Sequence, residues 1–138
     1  MNVVDSSGWI EFFLAGSNGP VFKPVIEQRD QLLVPTIALF EVHKILSRSL
    51  SAELVDRCLD VMRLGRVLDL TDRRAIAASK VARQHRLALA DAAMYSMAAS
   101  ANARRYVLAT FDAATARLSV KSSTRPRQIG RASCRERV

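Results

Sequence analysis

Short apolar runs alternate along this chain with longer stretches of helical period. Val3-Val4 is the first run, closed by an acid and two small hydroxyl residues. It reads as a buried strand that turns directly into a helix. Trp9, Phe12 and Phe13 recur at helical spacing, so a first helix is expected over 7–15. Gly16-Ser17-Asn18-Gly19-Pro20 breaks it, and Pro20 suits the first turn of a second helix through Val21, Val25 and Ile26. Leu32-Leu33-Val34 forms a second short strand, ended by Pro35, with Thr36 as the expected N-cap of a helix over 37–49. Ser51 caps the next helix, whose stripe is Leu54, Cys58, Leu59 and Met62 and whose end is Gly65. A third strand is expected over 66–70 and, capped by Thr71, a helix over 72–84. A further helix over 90–102 and a strand over 105–109 follow, then a short helix over 112–118 and a weak edge strand over 118–121.

The resulting order, β α α β α α β α α β α, predicts an α/β fold: a parallel sheet with helices on both faces. No repeat or linker divides the chain, and 138 residues suit one domain with a sizeable core. The chain is 49% hydrophobic and 25% charged, which argues against disorder. Lys and Arg number 21 against 13 acids, for a net charge of +8, which favours a polyanionic partner: RNA, DNA, an acidic protein or an anionic surface.

The domain is expected over 1–127. Residues 128–138 read as a translated, adapter-like tail rather than native sequence and are set aside from the fold. Omitting 129–138 removes three Arg and one Glu and lowers the net charge from +8 to +6, so the basic character persists. Cys134 lies in that tail, and Cys58 alone makes no disulfide framework, so Cys58 is expected to be a small core residue. No secretory signal or membrane span is recognisable, and a cytoplasmic protein is expected.

Four acids stand out. Asp5 lies at the carboxyl end of the first strand, the edge where open α/β sheets bind ligands. Glu41 shares a helical stripe with Ile37 and Ile45, where a carboxylate is costly unless paired or metal-bound; pairing with Lys44 or Arg48 is the simpler account. Asp91 opens an alanine-rich helix that is apolar almost all round, and helix capping is its simpler account. Asp112 closely follows the last strand, with Thr110 nearby as a turn residue or a support for the acid. Converging on one sheet edge, three or four carboxylates would repel one another unless a cation neutralised them. Hard oxygen ligands select Mg²⁺ or Mn²⁺, and such a site in a basic protein suits phosphodiester hydrolysis. His43 and His85 sit beside Lys44 and Arg86, where solvent is the expected neighbour. No glycine-rich phosphate loop, nucleophile elbow or zinc spacing is found.

These residues fall in the order of a known family. Val3-Val4-Asp5-Ser6-Ser7-Gly8-Trp9-Ile10-Glu11-Phe12-Phe13 resembles the opening of PIN-domain ribonucleases, especially VapC-type toxins of bacterial toxin–antitoxin pairs. Val34-Pro35-Thr36 followed by Leu39-Phe40-Glu41-Val42 is similar to their second motif. Leu87-Ala88-Leu89-Ala90-Asp91-Ala92 resembles the third, and Leu108-Ala109-Thr110-Phe111-Asp112 the fourth. The resemblance implies a three-layer α/β/α, PIN-like fold with a small parallel sheet of four or five strands. It implies a metal site of Asp5, Glu41 and Asp91, assisted by Asp112 and supported by Ser6 and Thr110. It further implies Mg²⁺ or Mn²⁺, an RNA substrate such as tRNA or rRNA, a cognate antitoxin and a homodimer. The activity expected is endoribonucleolytic; the alternative is a nuclease-dead module that binds RNA or a partner. One departure is plain: where the family often places a second acid after the fourth motif, this chain has Ala114 and Thr115.

Overall fold

The computed structural model of the chain describes residues 1–101, 105–112 and 117–123. Five strands form one sheet in the order β3-β2-β1-β4-β5. They are β1 (Asn2–Val4), β2 (Leu32–Pro35), β3 (Arg66–Leu68), β4 (Arg105–Asp112) and β5 (Arg117–Ser123). β1 pairs in parallel with β2 and with β4, and β2 with β3, as the alternation of strands and helices requires. β5 returns antiparallel to β4.

The helices are α1 (Ser6–Phe13), α2 (Gly19–Ile26), α3 (Thr36–Leu46), α4 (Ala52–Arg63), α5 (Asp72–His85) and α6 (Leu89–Ser100). Their start signals are partly those expected. Ser51 Oγ accepts from Leu54 N and Thr71 Oγ1 from Arg74 N, so both act as caps. Thr36 does not: Pro35 occupies the cap position of α3, and Thr36 Oγ1 instead accepts from Leu70 N at 3.1 Å. That bond ties the segment after β3 to the start of α3, at the carboxyl edge of the sheet. Among the described residues, no helix is long and apolar enough to cross a membrane.

The main core joins Val4, Trp9, Phe22, Leu32, Val34 and Met94 with the inward stripes of α3 and α4. Trp9 is fully buried and stacks on Phe13 at 5.6 Å. Gly8 lets α1 approach β1 and α2: a Cβ there would lie 2.8 Å from Val4 Cγ1 and 2.9 Å from Phe22 Cε1. Cys58 packs half-buried against this core, and burial pushes its thiol pKa up. His43 and His85 are both exposed.

One expected element is replaced. The short helix over 112–118 is absent at both its ends, because Asp112 closes β4 and Arg117 and Leu118 open β5. Leu118 and Val120 alternate with Ser119 and Lys121, a period of two that suits a strand, and the hairpin gives that strand its backbone partner. The weak edge strand is therefore real and longer than expected. Residues 113–116, with Ala114 and Thr115, and the adapter-like 128–138 lie outside the described residues.

Candidate active site

Asp5 directly follows β1 and is the N-cap of α1; its Oδ1 accepts from Gly8 N at 2.9 Å. It is 3% exposed. Asp5 is thus at the sheet edge, where the sequence placed it, and caps α1 as well. A cap bond holds the carboxylate in one orientation.

Ser6 is the first residue of α1, and its hydroxyl donates to Glu41 Oε2 at 2.7 Å. This bond links the edge of β1 to α3 across 35 residues of sequence. Glu41 is half-buried, and the described ion pairs, Lys23–Glu27 and Asp60–Arg63, do not include it. Pairing with Lys44 or Arg48, the simpler sequence account, is not what holds Glu41.

Asp91 lies in the first turn of α6 but is not its cap; Ala88 holds that position and makes no side-chain bond. The capping account of Asp91 therefore fails. Burial pushes its carboxyl pKa up, and the neighbouring Glu41 charge raises it further. The structure thus brings Glu41 and Asp91 within electrostatic reach of each other, with Ser6 bonded to the first of them.

Asp112 and Thr110 lie on β4, and their side chains are outside the described residues. The backbone register still places them. Val4 is level with Val107, and Asp112 lies five residues farther along β4. Asp112 is also level with Arg117 of β5.

The donor chemistry at the pair is that of a hard divalent cation: carboxylate oxygens whose mutual repulsion a positive charge would relieve. Among the described residues, no three His, Cys, Asp or Glu side chains gather into a complete metal site. A pair fits Mg²⁺ nonetheless, since that ion commonly takes one or two carboxylates and fills its remaining positions with water and substrate phosphate. Neither of two cavities, one over residues 27–31 and one between α5 and α6, is lined by the acid pair. The structural link that sequence reasoning missed is Thr36, whose hydroxyl was assigned to its own helix.

Comparison with known proteins follows the same outline. The family profile described as "PIN domain" matches residues 3–121. Among curated proteins, no sequence matches. Several solved structures share the fold. VapC20 of Mycobacterium tuberculosis, described as a sarcin-ricin loop cleaving toxin, superposes with a TM-score of 0.71 at 15% identity, covering 89% of this chain and 100% of that one. A toxin–antitoxin complex from Klebsiella pneumoniae gives 0.67 at 12% identity, covering 81% of this chain and 88% of that one. VapBC2 of Rickettsia felis, bound to a DNA fragment from its promoter, gives 0.61 at 13% identity, covering 79% and 87%. At these identities the likeness is one of fold.

Proposed function

The chain belongs to the PIN-domain family, and on that premise we propose that it is a divalent-metal-dependent endoribonuclease, the toxin of a VapC-type toxin–antitoxin pair. The observation that carries the reading is the arrangement of Ser6, Glu41 and Asp91. It joins a held carboxylate to a second, half-buried one near the carboxyl edge of a parallel sheet, where such folds act on ligands. Glu41 and Asp91 would hold the cation, Mg²⁺ first and Mn²⁺ as the alternative, with Asp5 and Asp112 as further candidate ligands. When bound, the cation supplies neutralisation of the pair and Lewis-acid polarisation of the scissile phosphate.

The chain's own groups do the positioning. Ser6 orients the Glu41 carboxylate by donating to Oε2, leaving Oε1 for other contacts. The Asp5–Gly8 bond anchors the start of α1, and with it Ser6, against β1. The Thr36–Leu70 bond anchors the start of α3, which carries Glu41 one turn later. Net positive charge draws the RNA, while the acids favour phosphate only once a cation sits between them.

Structured RNAs, including a ribosomal loop of the kind the M. tuberculosis neighbour is described as cleaving, form the natural substrate panel. Cleavage in Mg²⁺ or Mn²⁺ that disappears in EDTA and in Asp91→Asn is the expected outcome. Equal cleavage in EDTA, or by the variant, sinks the metal reading. Binding without cleavage supports the second reading, a nuclease-dead module, which Ala114 and Thr115 favour by standing where the family resemblance places another acid. The partner in this reading is a small cognate antitoxin, as in the K. pneumoniae complex. Co-expression of a neighbouring short reading frame should then relieve toxicity. The chain is expected to act in the cytoplasm as a homodimer, which sedimentation of the purified protein checks.

A further inference from the structure

The two most exposed large apolar side chains among the described residues are Leu89, at 76%, and Phe40, at 61%. Each stands beside one member of the acid pair. Phe40 directly precedes Glu41 on α3, and Leu89 opens α6 two residues before Asp91. Phe40 belongs to neither core cluster and shares in none of the described ring contacts. Burial of such a ring is favourable, so its exposure forgoes stabilisation that folding alone does not recover.

The helix face that carries Phe40 says what suits the ring. Thr36, Phe40 and Lys44 are four residues apart and share one strip of α3, and Arg48 follows just past the helix end. The strip begins at the carboxyl edge of the sheet, where Thr36 bonds to Leu70 N. Lys44 and Arg48 are exposed, and neither takes part in a described ion pair. The helix dipole accounts for cations at this end of α3, but not for an exposed aromatic one turn before them. An aromatic face in line with unneutralised cations matches a single strand of nucleic acid: phosphates meet the charges, and an unpaired base meets the ring. A duplex does not, because its bases hide their faces in the stack.

We propose that Phe40 is a stacking platform for an unpaired base of single-stranded RNA, with Lys44 and Arg48 on the adjoining phosphates and Leu89 as a second apolar contact beside Asp91. The identity of the strand rests on the nuclease reading. Phe40 then determines specificity at the acid pair: the nucleotide presented there is one whose base lies outside a helix, in a loop, a bulge or an end.

The test uses the full chain in EDTA, so that binding is read without cleavage. Fluorescence anisotropy compares a labelled oligoadenylate with an abasic ribose-phosphate chain of equal length. The two carry the same charge, so repulsion by the acid pair cancels in the ratio of their affinities. Wild type is expected to prefer the oligoadenylate by about fivefold to 150-fold, the range for one base stacked on an aromatic ring. Phe40→Ala should lose that preference at unchanged Tm, Phe40→Trp should keep it, and Leu89→Ala should reduce it. Leu64→Ala is the control, since Leu64 is 52% exposed but lies just before β3, at the opposite edge of the sheet. No preference in wild type, an unchanged preference in Phe40→Ala, or an equal loss in Leu64→Ala overturns the proposal. Sedimentation of the same variants separates the other occupant: a dimer that dissociates in Phe40→Ala while the base preference persists makes the ring a contact between copies. A base preference carried by Phe40 in a protein that cleaves no RNA in Mg²⁺ or Mn²⁺ refutes the nuclease reading and leaves the platform standing. Metal-dependent cleavage with no part for Phe40 does the reverse.

Discussion

Replacing Gly8 with alanine should destabilise the protein, although alanine is the better helix former. Gly8 sits in α1, where Gly→Ala is ordinarily worth about 0.8–1.0 kcal/mol in favour of alanine. The added methyl would lie 2.8 Å from Val4 Cγ1, 2.9 Å from Phe22 Cε1 and 3.0 Å from Phe22 Cδ1. Carbon atoms pack best about 3.5–4.0 Å apart, so one side must move by more than half an ångström. Val4 and Phe22 are both fully buried, and Val4 is held in a strand with a stiff χ1. Overpacking of this kind costs about 1–3 kcal/mol, which offsets the helix gain and leaves a net loss of up to about 2 kcal/mol. Trp9 is the single tryptophan, is fully buried and adjoins the substitution, so its fluorescence reports unfolding in urea. The expected result is a lower midpoint at unchanged slope. Because Ser6 rides on the same helix, the variant should also lose activity at temperatures where it remains folded. A Gly8→Ala protein more stable than wild type, by the ordinary helix gain, would refute the close approach of α1 to β1 and α2.

Four further outcomes follow. Ser6→Ala removes the bond to Glu41 and should lower metal-dependent cleavage by about tenfold or more, the usual effect of losing a group that orients a ligand; Ser6→Thr should restore part of it, and unchanged activity counts against positioning. Asp91→Asn should abolish cleavage while stabilising the metal-free protein, since Asp91 is a half-buried carboxylate beside Glu41; a fall in its Tm at pH 7 counts against that repulsion. The same shift gives a pH dependence: the folded pKa of Asp91 lies above its ordinary 3.8, so the native state binds the proton more tightly. This group's penalty is therefore present above the folded pKa and relieved as pH falls toward 3.8, and the advantage of Asp91→Asn over wild type should shrink in acid. Cys58, half-buried with its thiol pKa pushed above 9.0, should react with iodoacetamide at pH 8 more slowly than a free cysteine until the protein unfolds.

What the sequence could reveal divided along physical lines. Strand–helix alternation and the caps Ser51 and Thr71 were legible because they rest on local rules: period, side-chain reach and backbone need. The sheet-edge position of Asp5 was legible because an acid closing a β-branched run has few other places to go. Thr36 was misread because its local role as a cap and its long-range role toward Leu70 look identical in sequence; only the fold brings Leu70 to it. The end of the chain was misread for the reverse reason. Phe111-Asp112 carries a helix-start signal, but β5 offers β4 a complete row of backbone partners, and pairing outweighs a cap.

The acid pair also explains why no single motif could have carried the functional reading. Asp5, Glu41 and Asp91 each have a bland local account, and the structure removes two of the three. Glu41 takes its bond from Ser6 rather than from a lysine or arginine of its own helix, and Asp91 does not cap α6. What remains is a like-charge pair held in place by bonds that do not neutralise it. A fold tolerates such a cost where function requires it, and a half-buried carboxylate with raised pKa beside a second one is the kind of site where that happens. Asp5 differs from the pair: its cap bond to Gly8 already contributes to folding, so Asp5→Asn tests structure and chemistry together, while Asp91→Asn separates them by moving stability up and activity down.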